Sequence, residues 1–137
     1  MRRSIFLTAV AGALSGCDTP GPSPLGELAG VTGAAAWTHA GDSSRVELDT
    51  ASVRALRDLV AAQQSGWYQP MDTPPSYPTR VSFRSDTTHV GVLWLGSGVL
   101  WARGAGGPSR MKQIDAGVER QFRSILETAG GAQRSHR

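Results

Sequence analysis

The sequence predicts an α+β fold: a small two-layer domain in which an antiparallel sheet of three to five strands packs with two helices. Two periodicities carry this reading. Val53, Leu56, Leu59 and Val60, and later Val118, Phe122, Ile125 and Leu126, recur at the spacing of one helix face. Between them, an alternating run at 80–84, a run at 89–95 that is apolar on both parities and a third run at 99–103 are separated by turn clusters at 85–88 and 96–98, the pattern of an antiparallel meander.

Taken in order, residues 31–39 form a stretch of small residues around Trp37 that predicts an extended first strand. Gly41-Asp42-Ser43-Ser44 is a turn cluster, and Arg45-Val46-Glu47-Leu48 alternates, so a short second strand is expected to complete a hairpin. Asp49 or Thr50 caps a helix over residues 51–64, with Arg54, Arg57 and Asp58 turned to water and Ser65-Gly66 as its stop. Residues 67–78 hold Trp67, Tyr68, Tyr77 and four prolines, which bars a helix interior or central strand and predicts a long loop.

Arg80-Val81-Ser82-Phe83-Arg84 places Val81 and Phe83 inward. The run from His89 to Leu95 is apolar on both parities, with Val90, Val92 and Trp94 on one side and Leu93 and Leu95 on the other, as in a central strand. Val99 to Arg103 closes the meander. Two-residue and three-residue turns at Gly96-Ser97-Gly98 place Trp101 beside different neighbours, so that register stays open. Residues 104–108 break the sheet, and Asp115 caps the second helix. The expected order is β, β, α, β, β, β, α.

Ahead of this domain, Arg2 and Arg3 precede an apolar run over residues 5–14 and then small residues, the three parts of a secretory signal. The run is too short to span a bilayer, which takes roughly 20 apolar residues. Leu14-Ser15-Gly16-Cys17 resembles the lipobox of bacterial lipoprotein precursors at all four positions. The resemblance implies cleavage before Cys17, a diacylglycerol thioether on its sulfur and an amide-linked acyl chain such as palmitate on its nitrogen. Asp18 matches the residue that retains enterobacteria-like lipoproteins in the inner membrane. An anchored protein on the periplasmic face of the cell membrane is therefore expected, the inner membrane favoured over the outer. The pair Arg2-Arg3 resembles a twin-arginine signal, but Phe6-Leu7 stands one residue too far along, which favours the general secretory route. The chain then divides into a signal peptide (1–16), an acylated cysteine with a Pro/Gly-rich tether (17–30), one domain (31–129) and a flexible tail (130–137).

The 14 Lys and Arg against 11 Asp and Glu give a net charge of +3, but two of the cations, Arg2 and Arg3, belong to the signal. A mature chain near +1 gives no ground for nucleic-acid binding. Cys17 is the single cysteine, so no internal disulfide can form.

Motifs for catalysis are scarce. His39, His89 and His136 have no partner at metal-ligand spacing, and the chain has neither an HExxH nor a paired-cysteine motif. His39 lies near Asp42, Ser43 and Ser44, where a capped turn accounts for the same residues; Gly96-Ser97-Gly98 lacks the outer residues of a nucleophile elbow. No cofactor is implied. The best candidate binding residues are the loop aromatics Trp67, Tyr68 and Tyr77, whose large amphipathic rings suit interfaces, although the favoured place for Trp67 is the bottom of the core beside the first helix, and Trp94 and Trp101 are expected in the core as well. The leading expectation is a non-catalytic binding or protein-interaction module of the envelope, an inhibitor or immunity type included, that meets an envelope protein or cell-wall component. The alternative is a small envelope hydrolase using His39 or His89.

Overall fold

The computed structural model describes residues 21–26, 28–38, 45–70 and 77–134. The lipobox, Cys17, Asp18, His39, the 41–44 turn and His136 lie outside the described residues.

Asp49 and Asp115 start the two helices by accepting hydrogen bonds from first-turn amides, Ser52 N to Asp49 Oδ1 at 2.7 Å and Val118 N to Asp115 Oδ1 at 2.8 Å. Helix α1 covers Thr50–Ala61 and α2 covers Ala116–Arg134. The strands are β1 (Gly33–Trp37), β2 (Arg45–Glu47), β3 (Thr79–Ser85), β4 (Thr88–Gly96), β5 (Val99–Gly104) and β6 (Arg110–Gln113). All neighbours are antiparallel, in the order β2-β1-β3-β4-β5-β6. The class is α+β as expected, with six strands where three to five were anticipated. The extra one is β6. Its Arg110-Met111-Lys112-Gln113 sequence has no apolar alternation, and it joins the sheet through backbone pairing to β5.

Both helices lie on one face of the sheet. Val53, Leu56 and Val60 of α1 and Phe122, Leu126 and Ala129 of α2 close over Ala34, Ala36, Val81, Phe83, Leu93, Leu95, Leu100 and Ala102. The β4–β5 turn is the two-residue kind: Gly96 pairs with Val99, so Trp94 faces Trp101 directly. Gly98 at its tip has φ +71°, a left-handed conformation that only glycine adopts without strain. Its N–H donates to Glu119 Oε1 at 2.6 Å and its carbonyl accepts from Ile114 N at 3.0 Å, which ties the hairpin tip to the start of α2.

Two chain segments depart from the sequence reading. Residues 21–26 and 28–30, expected to be a solvated tether, form a strap on the helix side of the sheet, with Leu25, Leu28 and Ser23 buried. Gly91 and Gly104, paired on β4 and β5, leave the room that Leu25 and the Pro24 carbonyl occupy. Proline and glycine content signals irregular backbone, and here two leucines spaced within it supply enough apolar area to dock it. At the other end, α2 runs on through Gly130 and Gly131 to Arg134, where a tail was expected from 130. Ala129 is buried and continues the apolar stripe one turn past Leu126. That carries the helix to the two glycines, each costing about 1 kcal/mol in a helix interior.

Leu25→Ala is expected to destabilise the mature chain by about 2–5 kcal/mol in urea unfolding, as for other buried leucines, where a solvated tether would register no change. The Gly98 amide, with help from the Arg123 guanidinium, holds the Glu119 carboxyl below its ordinary 4.5. A depressed folded value contributes stability above the unfolded one and loses it as pH falls below about 4.5. Glu119→Gln, which keeps the acceptor, should therefore flatten the fall of the urea midpoint between about pH 5 and about pH 3.

Candidate functional site

Strand side chains alternate, so burying Val81, Phe83, Leu93 and Leu100 under the helices turns their neighbours to the opposite face. Register then aligns one residue from each of the six strands. Arg45 pairs with Trp37, Trp37 with Arg80, Arg80 with Trp94, Trp94 with Trp101 and Trp101 with Met111. The row reads Arg-Trp-Arg-Trp-Trp-Met across the whole sheet. No helix covers it.

Within this row the guanidiniums stack on the indoles. Arg80 stands 4.4 Å from the Trp37 ring centroid, Arg45 stands 5.8 Å from it on the other flank, and Arg103 stands 6.0 Å from Trp94. Each pair places a cation against the negative π-face. The Nε1 atoms of Trp37 and Trp101 are buried and make no hydrogen bond among the described residues. An unpaired buried N–H carries a cost of about 1–3 kcal/mol, so these rings are not positioned for their own hydrogen bonding.

The next rows complete the face. Glu47, Ala35, Ser82, Val92 and Arg103 align across β2 to β5, and Gly33 faces Arg84 beyond them. Arg84 and Glu47 form an ion pair that crosses over β1, and Arg45 reaches the same carboxylate at 3.2 Å. A Cβ on Gly33 would strike the Arg84 guanidinium, which explains why β1 is built of Gly and Ala at this end. The strand positions of the face carry Arg45, Arg80, Arg84 and Arg103 against Glu47, a surplus of three positive charges.

The three loop aromatics go to three different places. Trp67 is 0% exposed and its Nε1 donates to the Gln63 carbonyl, so it belongs to the core. Tyr68 pairs its backbone with Met111 and extends the sheet beyond β6. The Tyr77 ring occupies the space a side chain on Gly96 would take, on the same side of β4 as Trp94. Of the three, Tyr77 thus joins the open face. The expectation that Trp94 belongs to the core is corrected: it is half-buried on the open face, while Trp101, 5% exposed, is enclosed on that face and not under the helices. Parity held the clue, because Val81 inward requires Arg80 outward and antiparallel pairing sets Trp94 beside it.

His89 is exposed at the start of β4, with Ser82 Oγ 3.4 Å from its Nδ1. Among the described residues, no group of three or more His, Cys, Asp or Glu side chains is placed to hold a metal ion. A shallow groove between α1 and α2 is lined by Ala55, Leu59 and Ile125 together with Asp58, Arg120, Arg123 and Glu127. No described helix is long and apolar enough to cross a membrane.

Removing the Trp37–Arg80 pair by double-mutant cycle (Trp37→Leu, Arg80→Ala and both) should return a coupling of about 0.5–1 kcal/mol in urea unfolding. Comparison with known proteins finds no matching family model, no matching curated protein and no matching solved structure.

Proposed function

We propose that this chain is a lipid-anchored bacterial envelope lipoprotein whose domain is a non-catalytic binding or interaction module, and that the open sheet face is its binding surface. The resemblance of Leu14-Ser15-Gly16-Cys17 to a lipobox, behind a charged and apolar leader, supports the anchor. Two or more acyl chains on one residue give a durable membrane attachment where a single myristoyl chain gives a reversible one. Asp18 supports the periplasmic face of the inner membrane. The observation that carries the binding role is the Arg-Trp-Arg-Trp-Trp-Met row, since Trp and Arg are the residue types that concentrate binding energy at interfaces. The inhibitor and immunity roles are special cases of the same surface.

Mass spectrometry of the N-terminal peptide from detergent-extracted protein should show Cys17 carrying diacylglycerol, and Cys17→Ala should shift the protein out of the pelleted envelope fraction. A free thiol on Cys17, or an unchanged pellet, defeats the anchor. A photocrosslinker at Trp94 or Val92 should capture an envelope component that one at Arg120 on the helical side does not; equal capture from both sites defeats the binding face.

A further inference from the structure

We propose that the open sheet face docks on an anionic phospholipid surface, which names the partner of the binding face and rests on the acylated-Cys17 reading for its proximity to the bilayer. Three observations converge. The first is charge: among the described residues, the strand positions of this face carry four arginines against Glu47, while the other described cations and carboxylates nearly balance. Basic side chains at a surface of anionic headgroups gain from its negative potential.

The second is the state of the indoles. Arg80 and Arg45 flank Trp37, and Arg103 approaches Trp94. Ring faces attended by guanidiniums are poor platforms for stacking a sugar. The same pairs suit the headgroup layer, where tryptophan concentrates and where a cation shields part of its charge on a ring while meeting phosphate. Val92, Val99 and Met111 add apolar area at the same level.

The third is the reach of the anchor. Gly21 is held to Trp67 by backbone hydrogen bonds in both directions, at 2.5 and 3.2 Å, and its neighbour across the gap is Arg110 of β6. Cys17 precedes Gly21 by four residues, so its Cα lies within about 14 Å of that fixed point, whatever path the chain takes. The anchored end of the domain is therefore the β6 edge, where the aromatic row ends in Met111. A tether this short holds the domain at high effective concentration over the membrane, and the charge and the aromatic row select the face that meets it.

The test uses the mature chain, residues 17–137, with Cys17→Ser, so that no acyl chain contributes. It should sediment with vesicles of equimolar phosphatidylglycerol and phosphatidylcholine, not with phosphatidylcholine alone, and brominated acyl chains should quench its tryptophan fluorescence. Arg45→Glu with Arg103→Glu should weaken that binding about tenfold or more while circular dichroism shows the fold retained at the assay temperature. Arg120→Glu on the helical side should leave it unchanged. Absence of binding to the anionic vesicles, or equal loss from Arg120→Glu, overturns the docking, as does binding to isolated cell-wall sacculi in preference to vesicles. Failure of the anchor registers separately, as an unmodified Cys17 in the mass spectrum of the wild-type protein, and leaves the vesicle result to decide the docking.

Discussion

Phe83, Leu93 and Leu100, from three adjacent strands, are buried beneath Leu56 and Phe122, and this one-sided burial constrains everything else in the domain. A strand has only two faces, so each residue fixed under the helices fixes its neighbours on the other side. Slipping β4 by one residue against β3 would bring Trp94 and Val92 under α1 and α2 and expose Leu93 and Leu95. The burial of Leu93 and Leu95 opposes that slip by several kcal/mol, at about 1.5–3 kcal/mol for each fully buried Leu. The order of the Arg-Trp row is thus a consequence of core packing, held by residues that never touch it.

Much of this was readable from the chain. Helix positions followed from apolar spacing and from Asp49 and Asp115, because caps and periodicity are local properties. The inward side of β3 followed from Val81 and Phe83. Three features were not local. β6 has no apolar alternation and exists because β5 offers it backbone partners. The strap at Leu25 and Leu28 has a composition that usually stays solvated, and it docks because Gly91 and Gly104, far along the chain, leave space for it. The open face needed the register of five strand pairs at once, whereas composition alone drew attention to the aromatics of the loop.

Trp67 illustrates that exchange of roles. Its sequence neighbours, Tyr68 and the prolines beyond, mark a loop, yet its backbone is bonded to Gly21 and its ring is enclosed. Strap and loop entry close on each other: the Gly21–Trp67 bridge is followed by the Tyr68–Met111 bridge, so the amino-terminal segment, the exit from α1 and β6 meet at one edge. An aromatic that would have been a binding residue in an open loop becomes instead the seal of that edge. The tryptophans available to a partner are Trp37 and Trp94, half-buried at strand positions that turn them away from the helices.

Sheet edges are the usual alternative place for a partner to attach, since they offer unpaired backbone groups. Here both are guarded. β2 is three residues long and carries Arg45 and Glu47 on either side of Val46, and β6 gives its outer amide and carbonyl at Met111 to Tyr68, each at 2.9 Å. Short length, charge and local pairing are the devices that stop strand addition. The face between them is different: Gly33 and Ala35 keep β1 low enough for the Arg84–Glu47 pair to lie across it, and guanidiniums stand over the indoles of Trp37 and Trp94. The result is a broad, low, cationic and aromatic surface bounded by protected edges, which favours contact across the plane of the sheet over extension of it.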